Sequence, residues 1–158
     1  MNEFMKKAKE LADANLIENE GGPFGAVIVK DGQIIGMGHN KVLINHDPTA
    51  HAEVQAIRDA CKNLNTHDLS GCTIYTNTYP CPMCLSAIIW SNIKTVYYGN
   101  TKEDANNIGF RDDYIYSYID RLCDGIENKG VLELINIDRD ETIKSFEEYT
   151  KKEDKTIY

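Results

Sequence analysis

The chain has 158 residues, 42% of them hydrophobic and 27% charged, with 25 Asp and Glu against 17 Lys and Arg for a net charge of −8. That length and composition fit one ordinary globular domain able to bury a core without staples, and exclude a fibre, a disordered tail or a membrane protein. The negative balance argues against partners held through many phosphate contacts, so a small substrate is expected and nucleic acid is not.

Phe4, Ala8, Leu11, Ala12 and Leu16 recur at helical spacing among Lys and Glu and predict a surface helix over 3–18, ending before Gly21-Gly22-Pro23. The first residues lack the apolar core of a secretory signal. No apolar run reaches the ~20 residues of a membrane span, so a cytoplasmic protein is expected. Residues 25–29 read as a strand, Asp31-Gly32 as a tight hairpin turn and 33–37 as a second, antiparallel strand. Val54, Ala56, Ile57, Ala60, Cys61 and Leu64 predict a helix over 50–64, with Asp47-Pro48-Thr49 as its entry cap. A strand over 71–76 follows, then a Pro-Cys-Pro-Met-Cys turn opening a helix over 85–90, and a strand over 95–98. Beyond residue 100 the pattern gives a helix over 113–122, a strand over 131–137, a charged amphipathic helix over 140–152 and a polar tail ending in tyrosine. The order of elements predicts an α/β fold, a three-layer α/β/α sandwich around a central mixed sheet, in a single domain spanning 1–158.

Cysteines stand at 61, 72, 81, 84 and 123, an odd set that in a reducing compartment points to metal, catalysis or burial rather than a disulfide framework. Cys81 and Cys84, two residues apart where a strand turns into a helix, let both sulfurs face one point while the helix N-terminus favours their thiolates. That suits zinc, although a lone Cys-x-x-Cys equally suits a redox dithiol or half of a structural site. No second Cys or His pair at short spacing completes a structural site: Cys61 and Cys72 lie in apolar patterns, Cys123 stands alone, and all three need only burial. His51 supplies a third ligand and leaves the fourth position open, as in catalytic zinc sites. Glu53 is then the proton carrier. In mid-helix an i, i+2 pair diverges by roughly 200°, so the pairing requires both residues in the first turn. His39, His46 and His67 lie in polar surroundings and read as surface residues.

His-x-Glu followed by Pro-Cys-x-x-Cys is the signature of zinc-dependent deaminases of bases, and here the assignment is a resemblance rather than a derivation. Over its whole length the sequence resembles the bacterial guanine deaminases of the cytidine deaminase-like superfamily. The resemblance is carried by residues 21–27, Lys30-Asp31-Gly32, 47–53, 80–84 and 88–90, and by Gly109-Phe110 with Asp112 and Tyr114-Ile115-Tyr116. Only the last group is selective among purine-acting members. The resemblance implies a cytidine deaminase-like fold, one zinc per chain and hydrolysis of guanine to xanthine and ammonia, with Glu53 catalytic and His51, Cys81 and Cys84 on the metal. It further implies that Asn40, Asp112 and Tyr158 hold the purine and that Phe24 and Trp90 line its pocket. A homodimer is implied in which the C-terminal segment crosses over, so that Tyr158 completes the other chain's site.

The chemistry agrees with this. Guanine presents N–H donors on its ring and amino edge, which suit an acceptor carboxylate such as Asp112, while Asn40 both donates and accepts. Tyr79 stands where many members carry Glu before Pro-Cys, a position bordering the pocket, so it joins the substrate-binding set. It also keeps adenine, cytosine or guanosine open as substrates. A tRNA adenosine deaminase shares the motif, but a chain at −8 is poorly equipped for its phosphate contacts. A zinc-stabilised binding module would have no use for Glu53, and a redox pair would carry no zinc.

Overall fold

The computed structural model describes residues 1–110, 112–126 and 130–157. In chain order the elements are α1 (Glu3–Glu18), β1 (Gly25–Lys30), β2 (Gln33–His39), α2 (Val42–Asn45), α3 (Ala52–Leu64), β3 (Thr73–Thr78), α4 (Pro82–Trp90), β4 (Thr95–Asn100), α5 (Lys102–Asn107), α6 (Asp113–Cys123) and α7 (Arg139–Lys151). The chain divides into two compact units, Met1–Tyr116 and Ser117–Tyr158.

In the first unit the sheet has the order β2-β1-β3-β4, with β1 antiparallel to both neighbours and β3 parallel to β4. A parallel pair needs a crossover, and α4 supplies it. At the hairpin Lys30 pairs with Gln33, and Asp31 and Gly32 both have positive φ (49° and 75°), the backbone that a two-residue turn between twisted strands requires. Strand alternation then sorts the faces. Ala26, Ile28 and Ile74 form one core with Ala52, Ala56 and Ala60 of α3 and Ile88 of α4. On the other face the ring of Phe4 from α1 lies 5.2 Å from Tyr75, which stacks on Tyr97 at 4.8 Å. The result is the helix, mixed sheet and helix layering that the element order predicts.

One contact fixes where α3 sits. Ala52, Ala56 and Ala60, four residues apart, form a row of small side chains that packs on β2. A Cβ on Gly38 would stand 2.3 Å from the carbonyl oxygen of Ala52, and one on Gly36 would stand 2.6 Å from that of Ala56. Bare glycine is therefore what lets the helix backbone approach the strand so closely.

The structure corrects several details. Leu16, placed on the buried stripe of α1, is 67% exposed, and Asn15 takes its place at 3%. The helix expected from residue 50 starts at Ala52, and its N-cap is His51 rather than a residue of Asp47-Pro48-Thr49. Asp47 instead accepts hydrogen bonds from the backbone N–H and hydroxyl of Thr49 (2.8 and 2.6 Å), a local turn ahead of the helix. His39, read as a surface residue, is largely covered and lies 2.6 Å from Glu20. α5 was not expected; a reciprocal capping box between Thr101 and Asp104 starts it.

The second unit holds the C-terminal part of α6, an irregular stretch and α7. Residues 131–137, expected as a strand, join no sheet among the described residues. An apolar run specifies a strand only when another strand's N–H and C=O groups are there to pair with it. Val131, Leu132, Leu134, Ile135 and Ile137 are all exposed, and none of the residues of α7 is buried. Cys123 is likewise exposed, against the expectation of burial, whereas Cys72 is buried and Cys61 partly so. No helix among the described residues is long and apolar enough to cross a membrane.

Candidate active site

The site is built at the N-termini of α3 and α4. His51 is the N-cap of α3 and Cys81 the N-cap of α4, both in extended backbone, and neither side chain caps its own helix. A cap position without a capping bond leaves the side chain free to turn away from the helix, here toward the other helix start. Pro82 opens α4 at the one position where its missing N–H costs nothing, and Cys84 follows within the first turn. Nδ1 of His51 lies 3.5 Å from Sγ of Cys81 and 3.6 Å from Sγ of Cys84. All three ligand atoms lie within 4.8 Å of one another. A tetrahedral zinc with bonds of about 2.3 Å to sulfur and about 2.0–2.1 Å to nitrogen spans an N···S edge of about 3.6 Å, so this donor set fits zinc in chemistry and in spacing.

The electrostatics follow from the same closeness. The hydrogen bond from the Cys84 thiol, followed by that from His51, pulls the Cys81 thiol down to about 4 despite its burial. Cys84 is pushed up, first as the donor to Cys81 and then by burial. His51 is raised chiefly by its hydrogen bond to Cys81.

Glu53 lies in the first turn of α3, which answers the geometric requirement on the His51–Glu53 pair. The residue is 3% exposed. Oε1 accepts from the hydroxyl of Thr76 at 3.3 Å and Oε2 faces Sγ of Cys84 at 3.3 Å. Burial raises its pKa above that of an ordinary carboxyl.

A cavity of about 620 Å³ opens onto these groups, lined by His51, Glu53 and Cys81 together with Phe24, Asn40, Tyr79, Phe110 and Asp112. Four of the six expected substrate residues are thus brought to the reacting centre. Asn40 is 3% exposed, and its Oδ1 already accepts the backbone N–H of Val42 at 3.1 Å. An amide oxygen has two lone pairs, so the side chain can still both donate and accept at the cavity. Burial raises the pKa of Asp112. Phe24 meets Phe110 edge to face at 4.8 Å, forming an apolar wall. Tyr79 meets Tyr98 edge to face at 5.0 Å, with the ammonium of Lys102 4.6 Å from its ring centroid and 3.7 Å from that of Tyr116.

Trp90 does not line this cavity. It ends α4, six residues beyond Cys84 and 66% exposed, so roughly 9 Å of helix separates it from the nearer cysteine of its own chain. Tyr158 lies outside the described residues.

Sequence reasoning missed the residues that hold the site in place. Asn15 donates to the carbonyls of Gly22 (2.8 Å) and Asn40 (2.7 Å), tying α1 to the cavity rim; the clue was its place four residues on from Leu11 in an otherwise apolar row. Asn77 receives the N–H of Gly25 and donates to the carbonyl of Pro23, pinning the segment that carries Phe24. Tyr116 donates to the carbonyl of Pro80 at 2.8 Å, bracing the backbone ahead of Cys81.

Fold and site together define a deaminase domain: the chain belongs to the family described as the cytidine and deoxycytidylate deaminase zinc-binding region, whose model matches residues 1–100. Among individual relatives, the chain is 52% identical over 118 residues to guanine deaminase of Bacillus subtilis, covering 75% of this chain and 76% of that one. It is 50% identical over 76 residues to the tRNA-specific adenosine deaminase of Aquifex aeolicus, covering 48% and 50%. Among solved structures, the X-ray structure of Bacillus subtilis guanine deaminase superposes with a TM-score of 0.91 at 42% identity, covering 100% of this chain and 99% of that chain.

Proposed function

We propose that this chain is a zinc-dependent guanine deaminase, hydrolysing guanine and water to xanthine and ammonia. The observation that carries the reading is the single cavity of about 620 Å³ that joins the His51, Cys81 and Glu53 cluster to a donor, Asn40, an acceptor, Asp112, and the aromatic wall of Phe24. The similarity to guanine deaminase supports it, since it runs at 52% identity and extends in structure over the whole chain, whereas a tRNA-specific adenosine deaminase aligned over a comparable span is 39% identical.

His51, Cys81 and Cys84 would hold one zinc ion per chain. Bound there, zinc supplies the Lewis acidity that makes water a nucleophile at neutral pH. Glu53, fixed at Oε1 by Thr76, takes a proton from the attacking water at Oε2. It delivers that proton to a ring nitrogen next to the amino-bearing carbon and then carries the proton of the hydroxyl newly joined to that carbon to the amino group, which leaves as ammonia as the carbonyl forms. Asp112 accepts from N–H groups of the purine, and Asn40 donates to one of its acceptors. Phe24 packs on the ring face, and Tyr79 borders the opening.

The functional unit is read as a cytoplasmic homodimer acting on a free base, with neither nucleic acid nor membrane as partner. The exposed apolar side chains of 131–137 and Phe146 are the kind of surface a second copy would cover, and the C-terminal segment with Tyr158 is the part that would cross over to complete the other site. The test is ammonia release by the zinc-loaded protein from guanine, guanosine, adenine, adenosine, cytosine and cytidine in parallel. Guanine is expected to turn over fastest; guanine inert while another base reacts overturns the substrate and keeps the reaction.

A further inference from the structure

The turn that carries Cys81 is poor in backbone donors. Pro80 and Pro82 have no N–H, so the stretch between β3 and α4 is anchored by what flanks it. The N–H of Tyr79 donates to the carbonyl of Asn100 at 2.8 Å, and the carbonyl of the buried Pro80 accepts from the hydroxyl of Tyr116 at 2.8 Å. Tyr116 stands one helical turn on from Asp112, its N–H bonded to the Asp112 carbonyl at 3.1 Å. The start of α6 therefore reaches the site twice, through Asp112 in the cavity wall and through Tyr116 on the backbone ahead of Cys81. One phenol-to-carbonyl bond is a weak fastening for such a segment.

Lys102 adds to it. The capping box between Thr101 and Asp104 fixes the first turn of α5, and Lys102 is the first residue of that turn. Its ammonium lies over two rings at once, 3.7 Å from the centroid of Tyr116 and 4.6 Å from that of Tyr79, well within the range of cation–π attraction. Tyr79 is held in turn by Tyr98. The end of β3, the start of α5 and the start of α6 thus meet at one positive charge. A hollow of about 100 Å³ bordered by Lys102, Asp112 and Tyr116 leaves room for the start of α6 to shift if that charge is lost.

We infer that Lys102 is a positioning residue of the site: its ammonium, held by the rings of Tyr79 and Tyr116, fastens the start of α6 and so keeps Asp112 in place beside the reacting centre. Lys102 does not line the catalytic cavity and acts through the two rings. The part given to Asp112 belongs to the guanine deaminase reading, on which this inference rests.

The experiment compares Lys102→Met, which keeps the apolar stem and removes the cation, with Lys102→Arg, which keeps a cation able to lie on a ring. Guanine KM and kcat are measured on the zinc-loaded protein alongside thermal unfolding and bound zinc, and Lys102→Met is repeated in a Tyr116→Leu background. Lys102→Met is expected to raise KM about fivefold with kcat, bound zinc and melting temperature near wild type, and Lys102→Arg to stay within about twofold of wild type. With the Tyr116 ring gone, Lys102→Met should change KM by less than about twofold, because the lysine has lost its nearer partner. A wild-type KM in Lys102→Met overturns the inference. So does an equal KM rise in Lys102→Arg, or an undiminished effect without the Tyr116 ring, since the charge on the rings would then not be what acts. A KM rise that comes with lost zinc and a lower melting temperature overturns it too, because the lysine would then serve the fold at large. A wild-type protein inert on guanine but active on another base refutes the substrate assignment instead, and the same comparison on that base decides Lys102 by the same criteria.

Discussion

The two units of this chain carry apolar residues to different ends. In Met1–Tyr116, Ala26, Ile28, Ile74 and the alanine row of α3 are fully buried, and the reacting side chains sit on helix ends that this core holds still. In Ser117–Tyr158, a run as apolar as any strand of the first unit lies open, with Ile135 71% and Ile137 69% exposed. Apolar composition alone therefore does not make a core: the first unit has facing layers to bury its residues against, whereas the run 131–137 joins no sheet among the described residues.

The largest expected effect separates chemistry from scaffold within the first unit. Glu53→Gln should lower kcat on guanine by roughly 10²–10⁴-fold. Metal analysis should still find zinc, because His51, Cys81 and Cys84 are untouched; near-normal turnover would remove Glu53 from the mechanism. Cys84→Ala should lose both zinc and activity, read by metal analysis of the purified protein alongside ammonia release.

Gly38→Ala probes the scaffold. The added Cβ has to move α3 off the strand, because the Ala52 carbonyl it meets is backbone, and overpacking of this kind costs about 1–3 kcal/mol. Chemical denaturation should show that loss, and zinc affinity should fall with it, since the displaced helix end carries His51.

The second unit should answer differently. Ile135→Ser removes exposed apolar surface, so the unfolding free energy of the monomer should stay within about 0.5 kcal/mol of wild type. Sedimentation should show weaker self-association. A large loss of monomer stability would mean that the two units do not differ in the way their burial indicates.

The smallest effect is electrostatic. The hydrogen bond from His39 holds the Glu20 carboxyl below its usual value of 4.5. A lowered folded-state pKa gives stability that is complete above that value and is lost as pH falls through the lowered one. Glu20→Gln should therefore lower the melting temperature slightly at neutral pH and leave it unchanged at pH below the lowered pKa, which flattens the acid side of the profile.

Much of the first unit was legible because its signals are local. Helical spacing marked α1 and α3, Asp31-Gly32 marked the hairpin, and Cys81-x-x-Cys84 with His51-x-Glu53 marked the metal and the proton carrier. The run 131–137 was misread for the complementary reason: its pattern describes a half-buried strand, and pairing depends on a neighbour that no local pattern reveals.

By itself the sequence carried the chemistry, since an imidazole, two thiols and a carboxylate at those spacings and at helix starts suit a catalytic zinc centre and match the motif of a known deaminase family. Tertiary structure alone decided the geometry. It set the Oδ1 of Asn40 against the backbone N–H of Val42, brought Asp112 to the cavity from beyond β4 and placed Trp90 away from the cavity of its own chain. The physical reason is distance along the chain. Ligand types and short spacings are local properties, whereas the partner of a side chain is set by whichever distant element packs against it.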